Sequence, residues 1–363
     1  MKFFIIAGEA SGDMHGANLV RSIRHLMPSS SFEGFGGDRL KAEGVKIHRQ
    51  LDKLNYMGFI EVVKNLRTIR EGFKVCKKAI EENRPNALIL IDYPGFNLRM
   101  ARWAKKKGIR VFYYISPQVW AWKESRVKQM KKNIDRLLVI LPFEKEFFAK
   151  HGMEVDFVGH PLIDEIEMRR QKAEIRKENV IALLPGSREQ EIMHILPEML
   201  KIQEHFPEYH FIIGKAPGRT VAFYQTRFNL GNAKVWEEGT YKLLSRSKAA
   251  LVGSGTATLE TALLQVPQVV CYKANTISVR IARALIKVPY ISLVNLILNK
   301  HAVKELIQAE LNEKTLVSEL KKLLEEKSAL STIQQDYQEL WNKLGGKGAS
   351  ETAAKLIVVD LSN

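Results

Sequence analysis

Four short stretches place reactive side chains at the ends of apolar runs. Asp92 closes ALILID just ahead of Tyr93 and Pro94. A carboxylate at a strand end facing a cleft suits a general base, because partial loss of water raises its proton affinity. The same pattern fits a turn-forming Asp before a proline equally well. In LLPGSR, Gly186 and Ser187 free backbone N–H groups at a helix start and Arg188 adds a guanidinium fork, a combination suited to phosphate. An ordinary strand–helix turn with an exposed Arg is the plainer reading. GSGTATLE repeats the plan: Ser254, Gly255 and Thr256 open a helix, and Glu260 one turn in could accept both hydroxyls of a ribose. A capping segment with a solvated Glu fits it as well. The fourth stretch, GEASGD at residues 8–13, stands where a phosphate loop would stand. It matches neither G-x-G-x-x-G nor G-x-x-x-x-G-K-[ST], and it carries two carboxylates. Gly8 and Gly12 suit a tight turn there, with Asp13 as helix cap.

The remaining polar features are weaker. Asn97 reads as a cap for the helix after Pro94. Trp120 and Trp122 in ISPQVWAWKESR suit core and rim packing or a pocket wall. His15 and His160 are lone histidines that suit structural hydrogen bonds. Neither HExxH nor a Cys/His cluster occurs, and Cys76 and Cys271 stand far apart, so neither a metal site nor a cofactor is expected.

These stretches need strands behind them and helices ahead. β-rich runs at 3–7, 32–35, 87–92, 111–115 and 137–141 alternate with helical patterns such as 13–26 and 98–107. After a charged stretch at about 164–179 the plan restarts, with runs at 180–184, 209–213, 249–252 and 268–272. This predicts an α/β protein of two doubly wound halves with a ligand cleft between them. The expected division is 1–165, 166–340 and a closing helical segment 341–363 that packs back on the first half or exchanges with a partner.

The chain of 363 residues carries a formal charge of +16, from 56 Lys and Arg against 40 Asp and Glu. Such an excess points to a polyanionic partner: nucleic acid, anionic lipid or a phosphorylated substrate. No apolar run approaches the ~18 residues of a spanning helix, and the five apolar residues after Lys2 are too few for a signal peptide, so a cytoplasmic protein is expected. From Met57 onward, Phe59, Val62, Val63, Leu66, Ile69 and Phe73 make one helical stripe flanked by Lys64, Arg67, Arg70, Lys74, Lys77 and Lys78. A core helix with a solvated basic face accounts for this. Docking on an anionic membrane, or holding an acyl chain, accounts for it too. The aromatics lie on the apolar stripe rather than among the cations, which ranks nucleic-acid binding low.

GEASGDMHGANL, MGFIEVV, IDYPGFN, ISPQVWAWK, LPFEKEFF, FVGHPLID, LLPGSR, GSGTATLE and YISLVNLI together resemble the motifs of the lipid-A-disaccharide synthase family, in the same order, from residue 8 to about 308. The resemblance implies a GT-B fold and an inverting glycosyltransferase, peripheral on the inner face of the bacterial inner membrane. It implies that UDP-2,3-diacylglucosamine and 2,3-diacylglucosamine 1-phosphate (lipid X) give a β-1,6-linked disaccharide 1-phosphate and UDP. Asp92 then matches the family's essential aspartate, Glu9 and Ser11 its first-loop pair near the sugars, and Asn295 an active-site asparagine. Arg188 would hold the diphosphate and residues 254–260 the rest of UDP. Whether Glu9 or Asp92 takes the proton is open at this point. Many members carry a second aspartate where this chain has Gly95. Some exchange C-terminal segments to form homodimers. A UDP-sugar epimerase or hydrolase on the same plan is the competing reading.

Overall fold

The computed structural model describes residues 1–50, 66–170, 177–275 and 288–362. The chain divides into two compact units, Met1–Pro161 with Leu344–Asn363, and Leu162–Lys343.

In the first unit, β1 (Lys2–Ala7), β2 (Ser31–Gly36), β3 (Lys46–Gln50), β4 (Ala87–Ile91), β5 (Arg110–Tyr114), β6 (Arg136–Val139) and β7 (Asp156–Phe157) form one parallel sheet in the order 3-2-1-4-5-6-7. The strands alternate faces, as the pleat requires. Phe4, Ile6, Leu88, Leu90, Val111 and Tyr113 enter one core, whereas Phe3, Ile5, Ala87, Ile89, Ile91, Phe112 and Tyr114 enter the other. Both faces are therefore covered, and the central strands read as continuous apolar runs.

The closing helix Ala349–Ser362 lies in this same unit, with Ala353, Ala354 and Ile357 fully buried in the second of those cores. Arg110 clamps it by two bonds of 2.9 Å to the Asp360 carboxylate, and Arg136 donates to the Leu356 carbonyl at 3.3 Å.

In the second unit, β8 (Val180–Leu184), β9 (His210–Gly214), β10 (Lys234–Trp236), β11 (Ala249–Gly253), β12 (Gln268–Tyr272) and β13 (Lys304–Ile307) repeat the plan in the order 10-9-8-11-12-13, again all parallel. Each sheet thus has one point where the winding reverses, between β1 and β4 and between β8 and β11. Connections leave such a point towards opposite faces, so the strand ends there frame a crevice. All four stretches singled out by their chemistry fall at these two points. Among the described residues, no helix is long and apolar enough to cross a membrane.

Candidate active site

At the reversal in the first unit, β1 is followed by Gly8-Glu9 and β4 by Asp92-Tyr93. The two loops touch: a Cβ on Gly8 would stand 2.2 Å from the Tyr93 ring. Gly8 is therefore needed for close approach and not, as expected, to permit a tight turn. Gly12 lies inside the helix Ala10–Leu26, where an added Cβ would make an ordinary 3.5 Å contact. Asp13 is a second correction. It sits within that helix, buried, and accepts from the backbone N–H groups of Gly37 (2.6 Å), Arg39 (3.0 Å) and Leu40 (3.2 Å). It caps the neighbouring helix Asp38–Ala42 instead of its own, whose N-cap is Glu9.

Asp92 and Tyr93 both adopt left-handed backbone, at φ 43° and 49°. Such conformations cost of order 1–3 kcal/mol each and persist only where the surroundings fix them. The fixing groups are the fully buried Asn97 and Tyr113. Asn97 donates its side-chain amide to the carbonyls of Asp92 (2.8 Å) and Ile91 (3.1 Å), and Tyr113 donates its hydroxyl to the Asp92 carbonyl. Asn97 is therefore no helix cap; it satisfies carbonyls at the strand end. The Asp92 carboxyl is half-buried, and its pKa rises from 3.8 to about 7. Burial is the main cause, the Glu9 carboxylate adds to it, and the Tyr93 backbone N–H opposes it. Glu9 and Asp92 are thus brought within electrostatic reach of each other, while Ser11 is exposed at the second position of the helix that starts beside them. Gly95 is exposed, and a Cβ there would meet nothing within 4 Å, so packing does not require glycine at that position.

His15 and His160, from the same unit, lie close enough for their charges to interact. Burial drives their pKa values down to about 4 and about 3, so both are neutral at pH 7. Trp120 is buried, and its indole N–H donates to Glu144 at 3.2 Å; Trp122 is 49% exposed.

At the reversal in the second unit, the loops after β8 and β11 also touch. A Cβ on Gly253 would lie 3.0 Å from the Pro185 carbonyl and 3.1 Å from Gly186 N. Gly186 and Gly255 hold φ of 118° and 149°, open to glycine alone. Ser187 and Arg188 are exposed, and the Glu191 carboxylate folds back onto both the Arg188 backbone N–H and its guanidinium, each at 3.3 Å. The Arg188 donors of this loop thus already hold one carboxylate. Ser254 donates its hydroxyl to the Ile291 carbonyl at 2.7 Å, and Thr256 is exposed at the helix start. Glu260, half-buried one turn on, has its pKa raised to about 7, first by burial and then by Glu165, with Arg169 opposing.

Asn295 departs from expectation. It is fully buried, donates to the Val303 carbonyl and to Glu305 at 2.9 Å each, and accepts from Val303 N at 2.9 Å. With both ends of its amide engaged, it ties the helix Leu293–Leu298 to β13 and offers no atom to substrate directly. Of the proposed membrane stripe, Met57, Phe59, Val62, Val63 and Lys64 lie outside the described residues, as do the side chains of Leu66, Arg67 and Ile69. Phe73 stacks on Phe96 at 4.3 Å within the core, and Arg70 is exposed.

Sequence reading missed Tyr113, Glu191 and Glu144. Tyr113 is one aromatic among several in its strand and carries no local signal. The other two were legible as acids three residues after a helix-start position. Among the described residues, no three His, Cys, Asp or Glu side chains gather as metal ligands would.

Comparison with known proteins bears on the fold and the family. The family profile of lipid-A-disaccharide synthetase matches residues 3–358. The lipid-A-disaccharide synthase of Syntrophus aciditrophicus is 40% identical, over 96% of this chain and 95% of its own. That of Nitrosococcus oceani is 38% identical, over 98% and 95%. Among solved structures, UDP-GlcNAc 2-epimerase from Neisseria meningitidis bound to UDP-GlcNAc has a TM-score of 0.67 at 14% identity, covering 100% of both chains. The glycotransferase of kitacinnamycin has a TM-score of 0.64 at 16% identity, covering 98% of both. These likenesses fix the fold as GT-B. At 40% identity over nearly its whole length, and with the family's profile matched from residue 3 to 358, the chain belongs to the lipid-A-disaccharide synthase family of glycosyltransferases.

Proposed function

We propose that this chain transfers 2,3-diacylglucosamine from UDP to the 6-hydroxyl of lipid X, giving the β-1,6-linked disaccharide 1-phosphate of lipid A biosynthesis and UDP. The observation that carries the assignment of roles is Asp92: a carboxyl of pKa about 7, locked on a strained turn at a winding reversal. An inverting displacement needs one base and a stabilised leaving group, with no covalent nucleophile. The acceptor oxygen forms its bond to the donor's anomeric carbon as its proton passes to Asp92. The bond from that carbon to the diphosphate breaks, and its electron pair leaves with UDP. Glu9 keeps Asp92 basic, and Glu9 and Ser11 orient the sugars. Gly186, Ser187 and Arg188, with Ser254, Gly255 and Thr256, hold the diphosphate. There the diphosphate takes over the Arg188 contacts now made by Glu191. Glu260 accepts from the ribose.

The basic stretch from Met57 to Phe73 is proposed to dock on the anionic inner face of the bacterial inner membrane. Replacing Arg67, Arg70 and Lys74 by Glu then weakens binding to anionic vesicles, and unchanged binding removes that role. A homodimer formed by exchange would seat the Ala349–Ser362 helix of each chain on its partner in the place described here. Sedimentation at micromolar concentration separates that from the monomer.

UDP release from pure protein and UDP-2,3-diacylglucosamine, with and without lipid X, tests the reaction. Release that needs lipid X and yields disaccharide supports it. Acceptor-independent release, or an epimerised sugar, favours the epimerase or hydrolase that shares this fold.

A further inference from the structure

We propose that Trp122, Lys123 and Arg126 form a binding corner for the phosphate monoester of the acceptor sugar. The proposal rests on the glycosyl-transfer reading, and it assigns to the first unit an anion site separate from the donor's diphosphate loops. The segment 115–126 follows β5, whose neighbour in the sheet is β4, so it leaves the same edge as Asp92. Its start is anchored: Trp120 donates to the buried Glu144 and packs edge-on against Phe143 at 5.0 Å. Two residues on, Trp122 stands out from the surface with a cation on each of two approaches. Lys123 Nζ lies 4.1 Å from its ring centroid and Arg126 Cζ lies 5.6 Å from it.

The two cations are gathered on one indole. Loss of water first, and then the nearby Arg126 charge, lower the proton affinity of Lys123, so the two cations lie within electrostatic reach of each other. An ammonium beside a planar guanidinium fork suits a phosphate monoester, which carries −1.5 to −2 charge at neutral pH. Arg126 also acts electrostatically on the buried Tyr113, whose hydroxyl holds the Asp92 carbonyl, so the corner and the base share one strand edge. The acceptor needs this pairing, since its phosphate at C1 and its reacting hydroxyl at C6 are carried on the two carbons that flank the oxygen of one pyranose ring and must be held at the same time. A lipid headgroup in a membrane surface offers the same phosphate chemistry. The acceptor is favoured because both cations cover the indole that a membrane anchor would present bare.

The test compares lipid X with 2,3-diacylglucosamine lacking the phosphate, in neutral detergent micelles, for the wild type and Lys123→Gln/Arg126→Gln. Two quantities are read: the ratio of kcat/KM for the two acceptors, and the ratio of their dissociation constants measured without donor. The wild type is expected to prefer the phosphorylated acceptor in both, and the variant to lose at least tenfold of each preference with its unfolding midpoint unchanged. Equal ratios in the two proteins overturn the proposal, as does a wild type without preference. A variant altered only in binding anionic vesicles overturns it in favour of a headgroup site. If the wild type transfers no sugar while the binding ratio falls as expected, the glycosyl-transfer reading fails and the phosphate site stands.

Discussion

Replacing Asp92 by Asn removes the proposed base and, at the same time, should make the protein more stable in a pH-dependent way. Asn keeps the shape of the side chain and tolerates the left-handed backbone found there. The folded carboxyl has its pKa raised from 3.8 to about 7. Each factor of ten in acidity is worth about 1.4 kcal/mol, so charging this group in the fold costs at most ~4 kcal/mol. The carboxyl is half-buried and keeps part of its hydration, which brings the expected cost to ~1–2 kcal/mol. The sign follows from proton uptake. The folded state holds this proton more tightly than the unfolded one, so wild-type stability falls as pH rises from 3.8 to about 7 and is level beyond. The Asn variant has no such loss. Urea unfolding at pH 5 and pH 8 reads the difference: the variant's advantage should be larger at pH 8, while its turnover is lost at both. Wild-type kcat/KM should fall on the acid side of pH ~7, as the base takes up its proton. A stability gap that does not change with pH, or a variant that still transfers sugar, refutes this account of Asp92.

Three further outcomes follow from the same loops. Glu9→Gln removes a neighbouring negative charge, so the acid limb of the kcat/KM profile should move to lower pH; a limb that stays in place means that Glu9 does not act on Asp92. Gly8→Ala places a methyl group 2.2 Å from the Tyr93 ring and should cost ~1–3 kcal/mol in thermal unfolding, with a fall in turnover that Gly12→Ala, at 3.5 Å from its nearest neighbour, does not match. Asn97→Ala leaves the buried carbonyls of Ile91 and Asp92 without their amide donor, a loss of ~1–3 kcal/mol measurable by urea unfolding.

The central strands were legible because burial on both faces leaves only apolar residues to choose from. β1, β4, β5, β8 and β11 all coincide with apolar runs in the sequence. The four strands that sequence reading missed are the four sheet edges: β3 (KIHRQ), β7 (DF), β10 (KVW) and β13 (KELI). An edge strand is short and polar because one side faces solvent, which erases the pattern that betrays a strand. The site residues divide in a similar way. Loop carboxylates and glycines at strand ends announce themselves by position, as Asp92 and Gly186 do. Partners that act across the chain do not: Asp13 caps a helix some 25 residues away, and Asn295 closes on Glu305 and Val303 through bonds no local spacing encodes.

The two winding reversals present different reactive groups on the same local architecture. After β8 and β11, glycines at φ of 118° and 149° open the backbone and Arg188 brings a guanidinium, which in the proposed reaction would stabilise the departing diphosphate. After β1 and β4, the carbonyls of Ile91 and Asp92 are satisfied by Asn97 and Tyr113, so the strained turn can persist without spending its own carboxylate as a cap. Burial, reinforced by the Glu9 charge, then outweighs the single Tyr93 N–H and lifts the pKa of the Asp92 carboxyl to about 7. Asp13, by contrast, has its carboxylate engaged by three backbone N–H groups of the neighbouring helix. The same residue type therefore ties two elements together at position 13 and, in the proposed reaction, is left to take up a proton at position 92.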